Sequence, residues 1–365
     1  MQSSRRLGCR GPSVRTNVVC GADDMPHDLE AVYVTPPCLE LGTAPSATGG
    51  VAAVGAAGAL HPPASPNPNV VCEPFPVTYE GVEYAGWIAY ETGAAPLPQV
   101  LVIPNYAGLK QFDKDVAVFL ASVGFVGIAV DIYAETIPGY SIADRSPNSA
   151  PGWRELPREE KVERAASHME GAFKHVNHAV CNPGFFRGSL GAYLEAGRAH
   201  PSVHATQAAA IGYCFGGMAI LEMVRGGLAF DAAVSFHGVL QSRPSSRDDV
   251  VNEVPNVYGG NTKVLMENGD LDHLVTTNSI DRWKAEMDGA GVDWRFNNHG
   301  GGCDHGFALA PGCFNNVYHE DADRRSTLSM LSLFAECWPD VVQRPVATNA
   351  CGTALGQAVE SAAKL

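Results

Sequence analysis

Cys214 stands in the string Gly212-Tyr213-Cys214-Phe215-Gly216-Gly217, between a run of small apolar residues, Ala208 to Ile211, and a helical run, Met218 to Val224. A strand that turns at once into a helix leaves its turn residue exposed at the carboxyl end of a sheet. Glycines on either side let backbone pass close by. This is the nucleophile-elbow pattern, Gly-x-Ser-x-Gly, with cysteine in place of serine. A thiol at a helix N-terminus sits in partial positive charge, which favours the thiolate, the species that attacks carbonyl carbon. A buried structural cysteine is the commoner fate of a free thiol, but it leaves the flanking glycines unexplained.

A cysteine nucleophile needs a base, and the base needs an orienting acid; at an elbow the chain order is nucleophile, acid, histidine. Asp272, in the loop after an apolar strand Lys263 to Met266, and His305, in the glycine-rich loop Gly300 to Phe307, follow in that order. Asp270 is the alternative acid, placed one residue past Gly269 where it would brace the loop. His273 adjoins the acid too closely in sequence for an independent orientation, and His299 lies at a strand end as a group behind the site. His237 follows the strand Ala232 to Phe236 and either lines the cleft or hydrogen-bonds internally. Cys303, Asp304, His305 and Cys313 fit no common zinc spacing, so no metal is expected. The oxyanion hole needs two backbone N–H groups. The residue after the nucleophile, Phe215, gives one, and Tyr106, in the loop Pro104 to Leu109 after the first buried strand, gives the other.

These residues must be held by a sheet. From about Pro76 the chain alternates strand-like and helix-like segments. Val77 to Tyr79 and Tyr84 to Tyr90 read as a hairpin through Glu80-Gly81. Gln99 to Ile103, Phe125 to Asp131, Thr206 to Tyr213, Ala232 to Phe236, Lys263 to Met266 and Asp293 to Asn297 read as short strands. Asp113 to Ser122, Arg158 to Val176, Gly188 to Ala199, Thr277 to Gly289 and Asp321 to Trp338 read as helices. In the second of these, Val162, Ala165, Met169, Phe173 and Val176 recur at helical spacing. Strands apolar on both faces and alternating with helices imply an α/β fold, a mostly parallel central sheet with helices on both faces. Ligands then bind beyond the carboxyl ends of the strands, where Cys214, Asp272 and His305 fall.

The chain has 365 residues, 45% of them hydrophobic, and a formal net charge of −14. An acidic surface repels nucleic acid and anionic membranes, so neither is an expected partner. No apolar run approaches the roughly 20 residues of a bilayer span. The ten cysteines include no C-x-x-C pair and read as reduced thiols, which points to the cytoplasm. Residues 1–70 are rich in Ala, Gly, Pro and Ser and show no sustained period. Arg5, Arg6, Arg10 and Arg15 precede the first acidic residue, Asp23, so an organelle address is the alternative location. The expected organisation is a disordered or targeting extension over 1–70, one domain over 76–340 and a tail over 341–365.

From about Pro76 to Trp338 the chain resembles the dienelactone hydrolase family, a cysteine-using branch of the α/β-hydrolases. The strings that carry this are Ala210 to Gly217, Gly291-Val292-Asp293-Trp294 through Gly306-Phe307, Val130-Asp131-Ile132-Tyr133 and Ala322-Asp323-Arg324-Arg325-Ser326. The resemblance implies an α/β-hydrolase fold and hydrolysis of a small-molecule ester or lactone through an acyl-cysteine. It puts the catalytic cysteine, aspartate and histidine on Cys214, Asp272 and His305, and it implies no metal or organic cofactor. Asn105, His237 and Phe307 would line the pocket or prime the thiol. Two positions depart from the family's pattern. Asn105 stands where members carry a glutamate in a string like H-E-x-x-G, and an amide cannot take up a proton. Leu309 stands four residues past the histidine, where the dienelactone enzymes use an arginine to grip a substrate carboxylate. A less charged ester or lactone therefore fits as well as a dienelactone. The competing reading is a non-catalytic relative that binds a small molecule or senses redox state through the same thiol. Oligomeric state does not follow from the sequence; a monomer is compatible with it.

Overall fold

The structure is a computed structural model that describes residues 68–136, 157–240, 254–309 and 318–341. The expected extension and tail lie outside the described residues, save for Pro68 to Val70 and Val341. So do most of the proline-bearing connection before Arg158 and the side chains of Val162, Ala165 and Met169.

Among the described residues eight strands form one sheet: β1 (Val70–Tyr79), β2 (Val82–Glu91), β3 (Leu97–Ile103), β4 (Val126–Ala129), β5 (Val203–Tyr213), β6 (Ala232–Phe236), β7 (Lys263–Gly269) and β8 (Asp293–His299), in the order β1-β2-β4-β3-β5-β6-β7-β8. β1 and β2 are the expected hairpin, and β2 pairs antiparallel with β4; all other pairings are parallel. The sheet begins at Val70, six residues before the expected domain boundary. β1 is an edge strand with only Val77 fully buried, so its pattern gives little to read.

The central strands feed two cores through the alternation of side chains across a pleat. Leu101, Ile103, Ala208 and Ala210 enter one core, while Val100, Val102, Ala209 and Ile211 enter the other. Helices α2 (Arg158–Cys181), α3 (Pro183–Arg198), α4 (Phe215–Arg225) and α5 (Thr277–Ala290) cover the first face. Helices α1 (Gln111–Ser122) and α6 (Glu320–Cys337) cover the second through Val116, Leu120, Met330 and Phe334. Parallel pairing brings the carboxyl ends of β3 to β8 to one edge of the sheet. Tyr213 is level with Phe236, and Phe236 with Glu267.

The helix that starts at the elbow is fastened at its other end. Glu222 bridges Arg187 at 2.8 Å and Arg225 at 3.2 Å, and Arg225 also reaches Glu286 on α5 at 2.6 Å. Both arginines and Glu222 are buried, so losing one partner would strand the others and cost about 3–5 kcal/mol. Cys181, at the end of α2, is disulfide-bonded, a departure from the expected set of reduced thiols. Spacing carries no signal for such a pairing. No helix among the described residues is long and apolar enough to cross a membrane.

Candidate active site

Cys214 has φ 55° and ψ −113° and caps α4. A non-glycine residue there is strained by about 1–3 kcal/mol, and the surroundings must impose it. They do so through close backbone approach. A Cβ on Gly212 would meet the Gly216 carbonyl oxygen at 2.1 Å, and one on Gly216 would meet that of Ile103 at 2.2 Å. Only glycine allows the first turn of α4 to rest on β5 and on the loop leaving β3. The Cys214 N–H donates to the Phe236 carbonyl at 3.1 Å, and its own carbonyl accepts from Gly217 N–H at 3.0 Å. Backbone bonds on both sides thus hold the turn, with Cys214 itself 5% exposed.

The loops after β7 and β8 bring Asp272 and His305 to this turn. His305 Nδ1–H donates to Asp272 Oδ2 at 2.9 Å, while the other carboxylate oxygen accepts from Leu274 N–H at 2.9 Å. The Cys214 sulfur lies close enough to the His305 ring to bias its charge. Burial alone would pull this imidazole down. The Cys214 sulfur and the Asp272 carboxylate outweigh it and hold the ring well above its ordinary value. Asp270 is committed elsewhere, accepting from Cys303 N–H at 3.1 Å and so tying one loop to the other. His299 is buried against Glu267 at 2.6 Å, and His273 is exposed beside Asp304 at 3.5 Å. Of the candidate acids and bases, Asp272 and His305 are the pair the fold brings together at Cys214.

Phe215 is the first residue of α4, where N–H groups have no partner within the helix. Across from it runs the loop after β3. Asn105 follows two residues after Ile103, and Cys214 two residues after Gly212, the partner of Ile103, so the two leave neighbouring strands at the same height. Asn105 Oδ1 accepts from Ala107 N–H at 3.0 Å and the Asn105 carbonyl accepts from Gly108 N–H at 3.0 Å, a tight turn that fixes Tyr106 between them. The Tyr106 ring stacks on Phe173 of α2, with centroids 5.6 Å apart and planes 7° apart, and its carbonyl accepts from the Tyr133 hydroxyl at 3.0 Å. Tyr133 is set in turn by Asp131, whose carboxylate accepts from Tyr133 N–H and Ala134 N–H, each at 3.0 Å. Sequence reasoning misses Tyr133 and Phe173 as site residues. The Val130 to Tyr133 string is visible in it, but not the contact to Tyr106 that gives Tyr133 its place.

His237 leaves β6 beside Cys214, with φ 42° and no exposure. Its ring meets His305 edge-on at 5.1 Å between centroids and Phe307 at 5.4 Å. Burial, and then the neighbouring His305, push its imidazole well below the ordinary range, so it is neutral. It packs under the site, and Phe307, also fully buried, packs against it. Among the described residues no group of three or more His, Cys, Asp or Glu is placed to hold a metal ion.

The sequence model of the dienelactone hydrolase family matches residues 85–338, more than half of the chain. The chain belongs to the dienelactone hydrolase family. It is 26% identical over 209 residues to a protein of Bradyrhizobium sp named "Probable 2-oxo-3-(5-oxofuran-2-ylidene)propanoate lactonase", covering 57% of this chain and 72% of that one. It is 22% identical over 199 residues to a carboxymethylenebutenolidase of Pseudomonas putida, covering 54% and 70%. Among solved structures, a dienelactone hydrolase-like promiscuous phosphotriesterase from metagenomic libraries matches with a TM-score of 0.55 at 24% identity, over 74% of this chain and 99% of that one. That last likeness concerns the fold, which is α/β-hydrolase-like in both. Within the family frame, Leu309 is buried in the second core at 3% exposure.

Proposed function

We propose that the chain hydrolyses small esters or lactones through Cys214, His305 and Asp272, by way of an acyl-cysteine. The observation that carries this is the hydrogen-bonded His305–Asp272 pair set beside Cys214 at a strained elbow, in a chain of this family. The names of the two curated relatives, a lactonase and a carboxymethylenebutenolidase, support a lactone or ester as the substrate class.

The thiolate of Cys214 attacks the acyl carbon, forming a C–S bond and an oxyanion. The oxyanion is met by the N–H groups of Phe215 and Tyr106. It collapses, the C–O bond to the leaving alkoxide breaks, and the His305 imidazolium gives that oxygen its proton. Neutral His305 then takes a proton from water, whose oxygen attacks the thioester. The C–S bond breaks, and the acid leaves with the Cys214–His305 pair restored. Asp272 holds the ring with Nδ1–H toward itself and Nε2 toward sulfur, and stabilises the imidazolium. In a lactone the leaving oxygen stays tethered, so one hydroxy acid is the product.

Cys214→Ala should abolish turnover of p-nitrophenyl acetate and of a lactone panel, with the circular dichroism spectrum unchanged. Turnover within a few-fold of the wild type would refute the assignment.

A further inference from the structure

Asn105 is 1% exposed, and its two amide branches are treated differently. Oδ1 is engaged by the Ala107 N–H, which can only be an acceptor's place, so the identity of each branch is fixed. Nδ2 is buried and has no hydrogen-bond partner among the described residues, the Cys214 sulfur included. An unmatched buried donor is costly, so each calls for an explanation, a catalytic role among them. The place is informative. Asn105 leaves β3 level with Cys214, next to Tyr106. The Gly216 backbone is pressed against the Ile103 and Pro104 carbonyls, and Phe215, one residue past the nucleophile, begins α4.

Resting on the acyl-transfer reading, we infer that the Asn105 side-chain amide is a catalytic residue, a third donor to the oxyanion formed at the acyl carbon. Its partner is the substrate oxygen, which is absent from the resting protein, and this accounts for the unmatched Nδ2. A donor already aimed at a charge that arises only during reaction requires no reorganisation at the moment it is used. A glutamate here would repel that oxyanion. The change from carboxylate to amide, which removes a base, adds an electrophile. The Oδ1–Ala107 bond fixes which branch is the donor, so one side chain both shapes the loop and serves the reaction.

The test separates two reactions of the same thiolate. Acylation by p-nitrophenyl acetate builds an oxyanion; alkylation by iodoacetamide displaces iodide and builds none. Burst acylation and alkylation rates are measured at one pH for the wild type, Asn105→Ala and Asn105→Asp, and acylation is divided by alkylation to remove any change in the thiolate itself. Aspartate keeps the acceptor that holds the Ala107 N–H but replaces the donor. The expected result is a fall of about 100- to 1000-fold in the normalised rate for both variants. Asn105→Asp at the wild-type ratio would show that the side chain only holds the loop. An equal fall in both raw rates, leaving the ratio unchanged, would show that it acts on the thiol; either result overturns the inference. Absence of a burst in the wild type would instead count against the acyl-cysteine reading on which it rests.

Discussion

The loops after β7 and β8 approach Cys214 with their polar groups matched. Asp272 is divided between His305 and Leu274, Asp270 is bound to the opposite loop, and Glu267 is bound to His299. The loop after β3 approaches from the other side with its backbone fixed and a buried amide donor left over. On the proposed acyl-transfer reading, the difference follows from when charge is present. The imidazole and its carboxylate must be set before substrate arrives, so their partners are built in. The oxyanion of that reading exists only briefly, which fits a buried Asn105 amide with no partner among the described residues.

Removing charge from the matched side should do the most damage. Asp272→Asn leaves the shape but offers an amide that can hold the ring in the wrong tautomer, and kcat for p-nitrophenyl acetate should fall by about 100- to 10,000-fold. A loss under three-fold would mean that Asp272 is a loop brace. Gly216→Ala strikes the contact between the two sides, where the new methyl meets backbone oxygens that cannot swing away. It should cost about 1–3 kcal/mol and lower the melting temperature by several degrees in a thermal scan. An unchanged midpoint would show that the elbow is not closed against β3.

The smallest effect is electrostatic, and concerns two imidazoles in contact with opposite shifts. His237 is depressed in the folded chain, so below about pH 6.5 the unfolded chain takes up a proton that the folded chain refuses. Its share of stability is present above that value and is lost as pH falls, by at most about 1.4 kcal/mol per pH unit. His305 is raised, so its share is present below the same value and is lost as pH rises through its higher one. His237→Asn, whose side chain tolerates a positive φ, should flatten the acid limb of stability against pH between 5 and 6.5 while lowering the plateau. Parallel acid limbs in the variant and wild type would contradict a neutral, buried His237.

Much of this is legible in the order of the residues alone. The flanking glycines and the succession of cysteine, aspartate and histidine are local or ordinal features, and a parallel sheet gathers strand ends at one edge whatever the loop details. The choice of Asp272 over Asp270 turns on which loop carbonyls and N–H groups face each carboxylate, which no spacing records. The hydroxyl of Tyr133 reaches the Tyr106 carbonyl across 27 residues, and the unmatched amide of Asn105 becomes visible only when every neighbour has a position. The early start of β1 is hidden because an edge strand half in water need not alternate.

On the proposed reading the Cys214 sulfur carries the acyl group during turnover. Rapid acid quench during the p-nitrophenyl acetate burst, followed by peptide mass spectrometry, tests it directly. The acetyl group is expected on the peptide containing Cys214, rising with the burst and clearing as substrate is exhausted. A burst whose acetyl group is found on another residue, or steady turnover with Cys214 never labelled, would contradict it.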